Sequence, residues 1–154
     1  MLLRGLHVCS GYWQNQAATA AALRDGWFFT GDLARQDDEG YFYIAGRAKD
    51  MIITGGENVY PAEVEAVLHQ HPAVASAAVI GLPDAKWGER VVAAIIQRAD
   101  VSAEELIAFC QDKLARYKIP KRIFFVANFP LAGSGKIVKR LIKEEIERGQ
   151  QSTS

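Results

Sequence analysis

Residues 46–65, Gly-Arg-Ala-Lys-Asp-Met-Ile-Ile-Thr-Gly-Gly-Glu-Asn-Val-Tyr-Pro-Ala-Glu-Val-Glu, constrain the fold more than any other stretch of this chain. Met51-Ile52-Ile53 is strand-like, and Gly55-Gly56 interrupts it. Paired glycines accept positive φ and let a partner approach the backbone closely, which a purely structural turn seldom needs twice. Pro61 is suited to the first helical position, and the helix it opens carries Val64, Val67 and Leu68 on one face before Pro72 stops it. Glu63 and Glu65 lie in its first turns, where carboxylates favour the positive end of the helix dipole. The segment therefore demands strand, glycine turn and helix in quick succession.

The chain beyond it repeats both periods. Residues 74–80 and 91–97 read as strands separated by a turn at Gly81-Leu82-Pro83-Asp84, and 123–126 as a third. Ser102 with Glu105 forms a capping box for a helix whose Leu106, Ile107, Cys110 and Leu114 recur at helical spacing. After a flexible small-residue loop at 130–135, residues 137–148 form an amphipathic helix with Val138, Leu141, Ile142 and Ile146 inward. Residues 50–148 are thus expected to be an α+β domain, a small mixed sheet covered by helices, with 149–154 a disordered tail.

Residues 1–49 differ. They read as β-rich: an Ala-rich helix that Asn15 caps, then a hairpin across 27–44 built from Trp27-Phe28-Phe29-Thr30 and Tyr41-Phe42-Tyr43-Ile44. This is too little chain for its own core, so it is expected to be the edge of something larger, or to pack on a second copy through residues 1–46.

Bulk properties narrow the class. The 154 residues are 49% hydrophobic and 23% charged, as in globular proteins, with 18 basic and 18 acidic residues interspersed. Neither nucleic acid nor an anionic membrane gains electrostatic support from that balance. No apolar run is long enough to span a membrane, and no signal peptide is visible. Cys9 and Cys110 have no metal or redox spacing, and His69 and His71 lie on different helix faces, so no metal site is expected. A soluble, cytoplasmic protein is the expectation.

Four positions stand out chemically. Asp32, after Gly31 at a strand end, is suited to accept hydrogen bonds from vicinal ribose hydroxyls, although the tripeptide alone reads more readily as a plain turn aspartate. Asp50, taken by itself, reads as a surface aspartate paired with Lys49 or Arg47. Gly55-Gly56-Glu57 forms the turn described above. Lys136, in Ser134-Gly135-Lys136-Ile137, presents an ammonium on a long stem just before a helix. Lys118, Lys121 and Arg122 form a basic cluster that suits either phosphates or solvent.

The segment 46–65, the stretch Gly26-Trp27-Phe28-Phe29-Thr30-Gly31-Asp32 with Arg47 after it, and Phe129-Pro130 followed by Gly135-Lys136 occur in the order that resembles the adenylate-forming enzymes: acyl-CoA synthetases, luciferases and peptide-synthetase adenylation domains. Trp87-Gly88-Glu89 and Tyr117-Lys118-Ile119-Pro120-Lys121-Arg122 resemble the small C-terminal lid of the acyl-CoA synthetases. The resemblance implies a ribose-binding Asp32, an Arg47 that also reaches the nucleotide, and a hinge at Asp50. It implies a pantetheine channel along Gly55, Gly56 and Glu57, and a catalytic Lys136. Where the family usually has a basic residue and a threonine after the proline, this chain has Leu131 and Ala132.

It implies further that residues 1–49 belong to the edge of a large adenylation domain and 50–148 to the lid. ATP with Mg2+, AMP and coenzyme A would be substrates of the complete enzyme, none held tightly by these residues. The phosphate loop and acyl pocket are not among them, so activity is expected only with a large domain supplied in cis or in trans. The alternative is a non-catalytic lid-fold module that binds a protein partner or a CoA-like ligand.

Overall fold

The computed structural model describes residues 1–151 and divides into two compact units, Met1–Lys49 and Asp50–Ser154. In the first unit β1 (Leu2–Leu3), α1 (Gln16–Ala22), β2 (Leu23–Arg24) and β3 (Trp27–Phe29) come first, and β3 lies antiparallel between β1 and β2. The Asn15 side chain caps α1 by accepting from the Ala18 N–H at 2.9 Å. A separate antiparallel hairpin follows, β4 (Asp32–Gln36) with β5 (Phe42–Arg47), bulged between Leu33 and Ala34.

The hairpin expected across 27–44 is therefore displaced. Gly31, at φ +73°, ends β3, the Thr30 hydroxyl accepts from the Asp32 N–H at 3.0 Å, and Asp32 opens a new strand. The hairpin turn is tied by Asp37, whose Oδ1 accepts from the N–H groups of Glu39 and Tyr41 at 3.1 and 2.8 Å. None of residues 1–49 is buried, and Tyr41, Phe42 and Ile44 are 64%, 66% and 58% exposed. Both strand phases of β5 carry large apolar side chains, which a two-stranded hairpin cannot cover alone.

The second unit is the expected α+β domain. A 3-10 turn at Ala48–Asp50 straddles the boundary, after which β6 (Ile52–Thr54) and β7 (Glu57–Val59) form a tight hairpin that leads into α2 (Pro61–Leu68). Next come β8 (Val74–Asp84), β9 (Gly88–Gln97), α3 (Ala103–Gln111), β10 (Arg122–Phe125) and α4 (Lys139–Gln151). The sheet runs β10-β9-β6-β7, with β8 also antiparallel to β9 along its whole length. β10 is parallel to β9, and α3 supplies the crossover that a parallel neighbour requires. Ser102 caps α3 as expected, its hydroxyl accepting from the Glu105 N–H at 3.1 Å.

Alternation along β9 builds two cores. Val91, Ala93 and Ile95 face α2 and α3, packing with Val64, Leu68, Leu106 and Cys110. Val92 and Ala94 point the other way, against Ile142 and Ile146 of α4. Leu68 has no exposed surface. Leu68→Ala is expected to destabilise the fold by about 3 kcal/mol through lost burial and a residual cavity, read as a lower urea midpoint with unchanged slope.

Two boundaries shift from expectation. β8 does not turn at Gly81 but runs on through Pro83, whose register partner is Glu89. Proline is tolerated because β8 pairs on one side only. Gly81 serves close packing: a Cβ there would lie 2.7 Å from Glu89 Oε1 and 3.0 Å from Ile52 Cγ2. At the other end, residues 149–151 of the expected tail are helical, continuing α4, while 152–154 lie outside the described residues.

Candidate functional site

Asp32 and Arg47 are brought together by strand register. They are direct partners across β4 and β5, which places both side chains on one face. Arg47 Nε lies 2.9 Å from Asp32 Oδ1, and Arg47 Nη1 donates to the Thr30 carbonyl at 2.9 Å. The guanidinium is half-exposed and the carboxylate largely covered. Oδ2 makes no hydrogen bond among the described residues, so one carboxylate oxygen of the pair is left without a protein donor.

Asp50 is the first residue of the second unit, since the division falls between Lys49 and Asp50. Gly55 and Gly56 form the two-residue turn between β6 and β7, with φ of +60° and +85°. Such hairpins demand left-handed backbone at the turn, which explains one use of the glycine pair. A second use is specific to Gly55. Its N–H donates to the Trp87 carbonyl at 2.9 Å, and a Cβ on it would lie 2.8 Å from the Trp87 ring. Around Gly56 there is open space. Glu57 is exposed at the start of β7.

Lys136 is exposed, and its ammonium has no ion-pair partner among the described residues. Its surroundings differ from the flexible loop that the small residues suggested. The Ala132 N–H donates to the Lys136 carbonyl and the Gly135 N–H to the Ala132 carbonyl, each at 2.8 Å, while the Val138 N–H donates to the Pro130 carbonyl at 2.9 Å. Leu131 bridges Ile137 in antiparallel fashion. Residues 130–138 are thus a miniature hairpin, with Gly135 at φ +76° letting it close. No hydrogen bond or ion pair joins this hairpin to the Gly55–Gly56 turn among the described residues.

Three supporting residues carried weaker signals. Glu89 Oε2 accepts from the Ile53 N–H at 2.9 Å, steadying one arm of the glycine turn. Trp87 is held by Asp84, whose Oδ1 accepts from the N–H groups of Lys86 and Trp87 at 3.0 Å. Both belong to the Trp87-Gly88-Glu89 motif visible in the sequence. Glu65, which reads there as a helix-dipole carboxylate, instead accepts from the Val79 N–H at 2.7 Å and pairs with Lys139 at 2.6 Å.

The basic cluster is largely committed to the protein. Lys118 donates to both Glu63 oxygens, at 2.7 and 2.8 Å, and Lys121 donates to the Arg116 carbonyl at 3.3 Å. The hydrogen bond that Lys118 donates to Glu63 raises its pKa above the ordinary lysine value, against a smaller opposing effect of burial. A raised folded pKa means stability present below the unfolded value and lost as pH climbs through the folded one. The margin of the native chain over Glu63→Gln, about 0.2–1 kcal/mol for such a pair, should be flat from pH 7 to 9 and shrink above pH ~10.4. Urea titrations at each pH check this.

Burial pushes the Cys110 thiol up, consistent with a packing residue rather than a nucleophile. His71 is buried edge-on to Phe109, with ring centroids 4.9 Å apart, and reads as core. No group of three or more His, Cys, Asp or Glu suited to a metal occurs among the described residues, and no helix there is long and apolar enough to cross a membrane.

The profile of the C-terminal domain of AMP-binding enzymes matches residues 63–136 of this chain. The chain belongs to the adenylate-forming enzymes and corresponds to their C-terminal part. It is 43% identical over 147 residues to the 2-succinylbenzoate–CoA ligase of Bacillus mycoides, covering 96% of this chain and 31% of that one. Against the feruloyl-CoA synthase of an Amycolatopsis species it is 49% identical over 142 residues, covering 90% and 29%. The o-succinylbenzoate-CoA synthetase of Bacillus subtilis, solved with its acyl-adenylate intermediate, superposes with a TM-score of 0.87 at 43% identity, covering 92% of this chain and 29% of that one. The same enzyme has been solved with ATP and a magnesium ion. The chain thus spans less than a third of the length of the relatives it matches.

Proposed function

We propose that this chain is the lid portion of an acyl-CoA synthetase and works with a large adenylation domain supplied in cis or in trans. The complete reaction would proceed in two steps. A carboxylate oxygen attacks the α-phosphorus of ATP, forming acyl-adenylate and releasing pyrophosphate; the thiol of coenzyme A then attacks the acyl carbon and releases AMP. The observation that carries the reading is Lys136, an exposed ammonium with no carboxylate partner among the described residues, held on a hydrogen-bonded hairpin at the foot of α4. A cation so placed can follow the charge that builds on the α-phosphate oxygens.

The other residues take the remaining roles. Asp32 Oδ2 would accept from ribose hydroxyls while Arg47, already oriented by Oδ1, reaches the nucleotide. Asp50, where the two units meet in sequence, would serve as the hinge between the adenylation and thioester poses. Gly55, Gly56 and Glu57 would line the channel for the pantetheine arm, which a wall without side chains suits. The unburied aromatics of β5 would face the large domain, or a second copy of the chain where none is present.

ATP–pyrophosphate exchange with a panel of carboxylic acids, for the chain alone and with a large adenylation domain added, tests the proposal. Exchange in the mixture that Lys136→Ala abolishes is expected. If mixtures in which the large domain binds the chain never exceed the large domain alone, the reading fails. Leu131 and Ala132, where the family has a basic residue and a threonine, favour a second reading: a non-catalytic module. That reading predicts saturable coenzyme A or partner binding with no gain in exchange.

A further inference from the structure

We infer that Glu65 is the positioning residue for Lys136, acting through Lys139; the inference rests on the ligase reading only for its effect on rate. The argument starts from the sheet edge. β8 pairs with β9 alone, so half of its backbone groups face away from the sheet. α2 packs with the core on one face, and α4 with the core on the other. Glu65, projecting from α2, reaches this open edge, where its Oε1 accepts from the Val79 N–H at 2.7 Å. The same oxygen meets Lys139 Nζ, from the first turn of α4, at 2.6 Å. One carboxylate oxygen therefore joins the helices of opposite faces around the edge of β8.

The position of Lys139 gives the contact its significance. It is the first residue of α4 and lies three residues after Lys136. Between them is the closing hydrogen bond of the Lys136 hairpin, from the Val138 N–H to the Pro130 carbonyl. The side chains of Lys139 and Glu65 are only 23% and 18% exposed, so solvent screens the pair less than an ordinary surface contact. One turn later Lys143 lies 3.7 Å from Glu89, a longer pair that supports the helix but does not touch the hairpin. The hairpin is thus fixed at its C-terminal arm by Lys139, and Lys139 is held by a carboxylate that is itself oriented by sheet backbone.

Amide hydrogen exchange on this chain tests the placement without any activity. Glu65→Gln keeps the size and the acceptor for Val79 but removes the charge. Protection of the Ala132, Gly135 and Val138 amides should fall about tenfold or more, while amides inside β9 keep theirs. Lys139→Met should match it, the double variant should add little, Lys139→Arg should restore protection, and Lys143→Met should leave the hairpin unchanged. Unaltered protection in both Glu65→Gln and Lys139→Met, or an equal loss throughout β9, overturns the inference.

With a large domain present, Glu65→Gln should slow acyl-adenylate formation about tenfold, as displacement of a catalytic group does. Thioester formation from preformed acyl-adenylate should stay at the native rate. Equal slowing of both steps means a merely structural role and also overturns it. A native mixture with no exchange would count against the ligase reading, and the amide data would still decide whether Glu65 holds the hairpin.

Discussion

Lys136→Ala, assayed with a large adenylation domain present, is expected to slow acyl-adenylate formation by about 10²–10³-fold, the usual loss when one well-aimed charge-stabilising group is removed. Transfer of a preformed acyl-adenylate to coenzyme A should remain within a few-fold of native, because that step builds its charge at the acyl carbonyl rather than at the phosphate. Folding should be indifferent. The side chain is exposed, its ammonium is unpaired among the described residues, and the hairpin is closed by backbone groups of 130–138. A change within ±0.5 kcal/mol in urea is therefore expected. That combination separates function from scaffolding. Equal loss in the two steps, or a lowered urea midpoint, would remove Lys136 from its proposed role. Lys136→Arg is a sharper control: the charge is kept but spread over a planar fork, so partial recovery is expected.

The sequence exposed some of this arrangement and hid the rest for physical reasons. Local signals were legible where one residue determines one conformation. Asn15 and Ser102 cap their helices, Gly55-Gly56 makes a turn, although into the strand β7 rather than directly into a helix, and the helical spacing of Leu106 and Cys110 places both in the core. Strand partners were less legible, because pairing is decided by non-local competition. Trp27-Phe28-Phe29 has the composition of a hairpin arm, yet it pairs with β1 and β2 while Asp32 starts the true hairpin. Pro83 reads as a turn residue, but an edge strand absorbs it. At the candidate site, Asp32 and Arg47 show no period that announces their register, and the motif alone suggested them. The role of Glu65 was beyond reach of sequence reasoning, since a carboxylate near a helix start already has a sufficient local explanation. Only the free edge of β8 reveals its second task.

Gly56→Leu is expected to give the opposite signature to Lys136→Ala: thioester formation slowed about 10²-fold or more with adenylation near native, because a side chain would project into the channel proposed for the pantetheine arm. The two glycines are not equivalent probes. A Cβ at Gly55 would sit 2.8 Å from the Trp87 ring, which backbone hydrogen bonds hold in place, so any loss there mixes chemistry with a displaced tryptophan. At Gly56 nothing lies within 4 Å of a built Cβ, and the only conformational penalty is the positive φ of +85°. That strain costs a non-glycine residue roughly 1–2 kcal/mol, a few degrees in melting temperature for a chain of this size. Gly56→Ala carries nearly the same strain with far less bulk. If the channel reading holds, alanine and leucine variants melt alike and differ widely in thioester rate. If the turn is purely structural, both variants transfer acyl groups at the native rate, and the open space over Gly56 is simply solvent. Under the channel reading, two hairpins of one small domain are separable by one substitution each, Lys136 for the first half-reaction and Gly56 for the second, which a general loss of folding could not imitate.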